Sequence, residues 1–380
     1  MSPGGAAASA GEKGYTARGG PMLRPWRLWL GIGGSTLFLG LFLWRADLPA
    51  MLRAMGGATY WSLLPAIALY FLALGFRTLR WRVILGPLGR PPLARLWSVM
   101  AIGYMANNLL PGRLGEVVRA HFLGEREGIS RASALASILV ERVLDGLALL
   151  FLALLLGSFM PMSAILRSLG EQTGVHWLLL TLGVSVPFLL AMGVLMGVTW
   201  LPGPTLRLLV GTAGALPPRL RAPVMEVGVR FLNGLRILRS PRRVGMAFLL
   251  SLPVWLAEAA MCAVIGLGFG LVGELQGWIG LAGGMVLAVV AANLGTALPS
   301  TGGGIGPFEF FTSVTLQALG VRAGVASAFA LVAHITLLLP VTLLGLLYLW
   351  MDNLSLLRLL RESRQREAVL SVHPSVHGEG

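Results

Sequence analysis

Charged residues are scarce in this chain, making up 12% of its 380 residues, against roughly a quarter in soluble domains. Hydrophobic residues reach 56% and the mean hydropathy is +0.77. With several apolar runs beyond about 18 residues, a water-soluble fold is excluded. Lysine is nearly absent: Lys13 stands alone, so the spans offer no amine for Schiff-base chemistry. Cys262 is the single cysteine, which excludes an intrachain disulfide and any cysteine-rich metal site. Acids number 16 against 30 basic residues, for a net charge of +14. The basic residues sit between hydrophobic segments rather than in one aromatic-interleaved patch, so they mark membrane loops and not a nucleic-acid partner. The sequence has no GxxxxGK[ST] loop for ATP, no HExxH, no Gly-x-Ser-x-Gly and no Asp-x-Asp pair. No cofactor and no metal are expected.

What is present reads as an all-α polytopic membrane protein. About six full transmembrane helices are expected, with two broken or re-entrant segments in an inverted repeat. Residues 1–27 read as a disordered basic cytoplasmic tail. Residues 28–201 form the N-terminal half of the membrane domain, with spans at Leu28–Trp44, Ala54–Phe76, from Ser130 to about Gly157, and Trp177–Leu201. Ser130 is the expected N-cap of its helix, and Pro187 a kink. Residues 202–243 are an Arg-rich connection, 244–351 the C-terminal half, and 352–380 a second tail. By the positive-inside rule both termini and the 202–243 connection are cytoplasmic, in the cell (inner) membrane. This arrangement leaves only Arg45, Arg53, Arg142, Arg167 and Arg322 off the cytoplasmic side, and counts Arg77, Arg80 and Arg82 as a basic loop cluster.

The two broken segments share a pattern. Ala106-Asn107 precedes Pro111-Gly112-Arg113-Leu114-Gly115-Glu116, and Ala292-Asn293 precedes Pro299, Gly303-Gly304-Ile305-Gly306 and Glu309. Each is an apolar helix, an asparagine, a proline, a glycine-rich break and a new helix opening with glutamate. Inverted repeats with discontinuous helices are the pattern of secondary transporters, whose sites lie between the repeats. Gly306, Pro307 and Glu309 match an N-cap, a first-turn proline and a third-position acid. A half-helix N-terminus inside the membrane suits a phosphate. The expected head-group residues are Asn107, Asn108, Arg113, Glu116, Arg119, Gly303, Gly304, Gly306 and Glu309.

Charges also occur within the spans. Glu141, Arg142 and Asp145 fall in the middle of the helix from Ser130, and Glu258 lies well inside another. An unpaired charge at that depth costs on the order of 3 kcal/mol or more, so these groups face the protein interior or an aqueous cavity. Arg142 and Asp145 are spaced to pair, Glu258 is either protonated or paired with Arg142, and the four define a polar path. His334, alone on an apolar helix, reads as a hydrogen-bonded core histidine. His121 and Glu125 share helical spacing, with no third metal ligand in the sequence beside them.

The ordered motifs Asn107–Arg119, Glu141-Arg142 with Asp145, and Pro299 with the 302–309 loop resemble the flippase-like transmembrane region of lysylphosphatidylglycerol synthases, over most of residues 28–351. The resemblance implies movement of a lipid between leaflets, the aminoacylated phospholipids of the synthases being one case. Stand-alone relatives are linked to hopanoids and to lipid-linked sugars. Residues 352–380 are too few for the synthases' soluble aminoacyl-transferase domain, so no synthesis of aminoacyl lipid is expected. The expectation is a flippase or transporter for an anionic or phosphate-bearing lipid, whose partner is a membrane phospholipid or another lipid-linked substrate. The alternatives are a membrane enzyme on lipid-linked substrates and a non-catalytic partner of a lipid-modifying enzyme. A homo-oligomer fits any of the three.

Overall fold

The apolar runs fold as helices. The computed structural model describes residues 25–110, 114–157, 167, 170, 174, 176–296 and 300–351, and no strand occurs among them. The first run is α1 (Pro25–Arg45). The second divides in two: α2 (Leu48–Gly57), capped by Asp47 accepting the Ala50 N–H at 3.0 Å, and α3 (Leu63–Leu85). The division follows Gly56-Gly57, a pair that each costs a helix about 1 kcal/mol. Beyond Phe76, α3 does not stop at the arginines but continues through Arg77, Arg80 and Arg82.

The first broken segment is α4 (Leu93–Leu109) followed by α5 (Leu114–Glu127); residues 111–113 between them lie outside the described residues, and Arg113 with them. Next comes α6 (Arg131–Leu156), opened by Ser130, whose Oγ accepts the Ser133 N–H at 3.1 Å. Then follows α7 (Trp177–Trp200), with Pro187 inside it. Residues 202–243 are largely helical: α8 (Pro202–Gly214) and α9 (Pro218–Gly234), each with a first-turn proline, then a 3-10 turn, Leu235–Arg239. Ser133 Oγ donates to the Arg230 carbonyl at 2.6 Å and pins α9 to α6. The chain continues as α10 (Pro241–Gly268), the single turn α11 (Leu271–Glu274) and α12 (Trp278–Gly295). After the second break come a 3-10 turn (Gly302–Gly304), α13 (Pro307–Ala318) and α14 (Ala323–Met351).

Among the described residues, five helices are long and apolar enough to cross a membrane: Tyr60–Leu85, Thr181–Trp200, Pro241–Gly268, Trp278–Gly295 and Ala323–Met351. The last two flank the second break. At 26 residues, or about 39 Å, α6 has the length but carries Glu141, Arg142 and Asp145 at its middle. Exposed leucines such as Leu179, Leu189 and Leu190 cover α7, the surface of a helix that faces lipid.

Packing places α3 against α10, α4 against α14 and α5, and α13 against α12 and α14. Leu74, Trp81, Ile84, Leu96 and Ile102 are central to the main core. Small residues set the closest approaches. A Cβ on Gly115 would lie 2.0 Å from the Gly103 carbonyl oxygen, and one on Gly103 would lie 2.1 Å from Arg119 Cγ. The two arms of the first broken segment are therefore in backbone contact.

Burial corrects the loop reading of the arginines. Arg77, Arg80 and Arg119 are buried, because α3 and α5 carry them into the bundle beside its acids. They do not count toward a positive inner surface, and the asymmetry rests on the other basic residues.

Candidate functional site

Four arginines and four acids meet between α3, α4, α5, α6 and α10. Arg80 of α3 grips Asp145 with both terminal nitrogens, at 2.5 and 3.2 Å, and donates to Ser251 Oγ at 2.9 Å. It also lies 3.3 Å from Glu141. Arg119 of α5 takes Glu141 from the other side, at 2.7 and 3.3 Å, with its guanidinium stacked 4.2 Å from the Trp81 ring centroid. Arg77 pairs with Glu258 and donates to Tyr104 Oη at 2.8 Å, lying between the Tyr104 and Trp255 rings. Arg142 is the loosely held member: Nε is 3.3 Å from Glu116, Nη2 3.5 Å from Glu141 and Nη1 3.7 Å from Asp145, with 29% of the side chain exposed. These eight groups balance in charge, as the cost of isolated ions in a low dielectric requires.

Beside this network lies a cavity of about 280 Å³. One wall is polar and charged, with Arg77, Tyr104, Glu116, Arg142, Asp145 and Glu258; the facing wall carries Asn293, Thr296, Thr301, Gly303, Gly304 and His334. The two breaks meet at its edge. A Cβ on Gly302 would stand 2.7 Å from the Asn108 carbonyl and 3.0 Å from that of Leu110. Asn108 also donates to the Leu338 carbonyl at 3.2 Å and to Thr342 Oγ1 at 3.0 Å, tying the first break to α14. Gly303, Gly304 and Gly306 have φ of 74°, 78° and 98°, a left-handed conformation that glycine adopts without steric cost.

Of the residues expected from the sequence, the cavity brings together Asn107, Asn108, Glu116, Arg142, Asp145, Glu258, Gly303 and Gly304. Four are elsewhere. Arg119 and Glu141 are locked on each other behind the wall. At the start of α13 the Gly306 N–H donates to Glu309 Oε2 at 2.8 Å. The capping geometry is thus as read, and the helix supplies its own anion at this N-terminus. Glu258 pairs with Arg77 and not with Arg142, because α10 packs along α3. Arg77, Tyr104 and Trp255 are among the cavity residues that sequence reasoning missed. A signal existed for Arg77, since its spacing from Arg80 puts both on one face of a helix extended past Phe76.

A family model described as the lysylphosphatidylglycerol synthase TM region matches residues 28–345. A "UPF0104 membrane protein" of Methanothermobacter thermautotrophicus is 26% identical over 329 residues, which covers 82% of this chain and 89% of that protein. "Glycosyltransferase AglD" of Haloferax volcanii is 27% identical over 333 residues, 79% of this chain and 50% of its own length. No solved structure matches the chain.

Proposed function

Because the chain belongs to the family of the lysylphosphatidylglycerol synthase transmembrane region, we propose that it moves a phosphate-bearing lipid between the leaflets of the cell membrane, with the cavity as the head group's path. The two broken segments act as an inverted repeat around that path, and both termini face the cytoplasm.

The observation that carries this reading is a polar cavity bounded by both breaks in a bundle with an apolar exterior. At about 280 Å³ it is just below the range of drug-sized ligand pockets, roughly 300 to 1,000 Å³. That volume suits a head group and leaves the acyl chains in the bilayer. Arg142 takes the phosphate. It is the loosely held arginine on the wall, and a guanidinium matches two phosphate oxygens at once. Arg77 and Tyr104 supply further donors. Acids on the same wall keep the phosphate from binding too tightly to leave.

Purified protein in liposomes, with a labelled phospholipid confined to one leaflet, tests the reading. Wild type should equilibrate the label, and Arg142→Gln should slow it at least tenfold while the protein stays folded. Label that remains in its leaflet with wild-type protein, for anionic and zwitterionic phospholipids alike, would overturn it. A second reading follows from the Haloferax volcanii relative, a glycosyltransferase of which this region is half: the chain serves as the membrane partner of a separate lipid-modifying enzyme. Co-purification with such an enzyme, without lipid movement by the chain alone, would favour it.

A further inference from the structure

From α12 to the end of α14 the only ionisable side chains besides Tyr348 are Glu309, Arg322 and His334, and two of the three are bonded to each other. His334 Nδ1 lies 2.6 Å from Glu309 Oε1, and Nε2 lies 3.0 Å from the Gly303 carbonyl oxygen. The ring is stacked on Phe308 at 4.2 Å, and both residues are buried. Both ring nitrogens therefore face oxygens. A carbonyl oxygen only accepts, and so does an ionised carboxylate. Nε2 must carry a hydrogen for Gly303, and a second hydrogen must lie between Nδ1 and Glu309, because two lone pairs cannot be held at 2.6 Å. Whether that hydrogen is nearer nitrogen or oxygen, the pair is neutral overall and holds one proton more than an imidazole beside a carboxylate.

We infer that Glu309 and His334 form a single-proton carrier whose state sets the Gly302–Gly304 turn. Loss of the proton leaves one hydrogen on the ring for two acceptors and a net charge of −1 on the pair. Either the Glu309 bond or the Gly303 bond must then break. Gly303 is the mobile party, since Glu309 is also fixed by the Gly306 N–H. Release of its carbonyl loosens the turn that seats on Asn108 and Leu110 of the first break, and the seam between the breaks opens beside the cavity. His334 lines that cavity, so the proton has a polar exit.

Few other groups compete for this role. α12 has no charged residue; α1 brings the Ser35 hydroxyl to the turn, 2.8 Å from Thr301 Oγ1; and Tyr348 lies near the far end of α14. Across the cavity stand Tyr70 and Arg77 of α3, Tyr104 of α4, Glu116 of α5, Arg142 and Asp145 of α6, and Glu258 of α10. The carrier stands on geometry alone; its use in lipid movement, as the point where a proton gradient drives or gates it, rests on the function proposed above.

Two measurements on the full chain in nanodiscs test the inference without transport. In ¹⁵N-histidine-labelled protein, with His334→Gln assigning the resonances, both ring nitrogens of His334 should sense a hydrogen at low pH, bound to the ring or donated by Glu309, and one of them should become bare as the pair loses its proton at higher pH. Spin labels at Leu109→Cys and Ile305→Cys, in a Cys262→Ser background, should separate over the same pH interval, and Glu309→Gln should abolish that pH-dependent step. A His334 whose two ring-nitrogen signals do not change at any pH, or a label distance unchanged while the proton is lost, would overturn the inference. Absence of lipid movement in liposomes would leave both results standing and strike only at the transport function.

Discussion

Replacing Arg80 by methionine removes the guanidinium that faces two carboxylates at the centre of the bundle. Arg80 is fully buried, with Asp145 oxygens at 2.5 and 3.2 Å and Glu141 at 3.3 Å. The two acids are not equally affected. Glu141 keeps the two-pronged grip of Arg119, whereas Asp145 is left with Arg142 at 3.7 Å. One carboxylate thus loses its close partners, and breaking a buried pair in this way costs about 3–5 kcal/mol. Asp145→Asn in the same background removes the stranded charge, so the double variant should recover part of the loss, with a coupling energy of about 2–3 kcal/mol. Equilibrium unfolding of the four proteins in mixed micelles measures this cycle. Arg80→Met within about 1 kcal/mol of wild type, or losses that simply add, would show that the pair is not the structural lock described.

Glycine contacts give a second test: Gly115→Ala, with a Cβ 2.0 Å from the Gly103 carbonyl, should lower stability by at least 1–3 kcal/mol. Gly193→Ala on α7, with nothing within 4 Å, should be neutral or stabilising by up to about 1 kcal/mol, and thermal unfolding compares them. For orientation, Arg230→Cys on exposed α9, in a Cys262→Ser background because Cys262 is buried, should resist an impermeant thiol reagent in intact cells and react in inverted vesicles; labelling in intact cells refutes a cytoplasmic 202–243 segment.

Local chemistry was legible in the sequence. The Ser130 cap and the Gly306-Pro307-Glu309 start of α13 are complete within four residues, and each helix begins where its cap says. The last helix, 323–351, follows from an uninterrupted apolar run. Long-range charge pairing was not legible. Arg77 and Glu258 are 181 positions apart, and Arg80 and Asp145 are 65 apart. Next to Arg82 the two arginines look like the edge of a cytoplasmic loop, and only the packing of α3 on α10 and α6 shows that they neutralise intramembrane acids. The sequence shows Glu309 and His334 singly, Glu309 as a helix cap and an expected head-group residue and His334 as a core histidine. The cap and the hydrogen-bonded core histidine are both present, and neither reveals the pair, because their contact depends on α13 folding back onto α14.

The most direct test of the central claim, that a lipid head group enters the cavity between the two breaks, is photocrosslinking with a phospholipid that carries its reactive group beside the phosphate. The protein is reconstituted in bilayers containing this lipid, irradiated, and the adducts are mapped by peptide mass spectrometry. The account predicts adducts on cavity residues, Tyr104, Asn108 and Trp255 among them, suppressed in Arg142→Gln. Adducts confined to outward-facing side chains such as Leu179 and Leu190 of α7, unchanged in that variant, would contradict it.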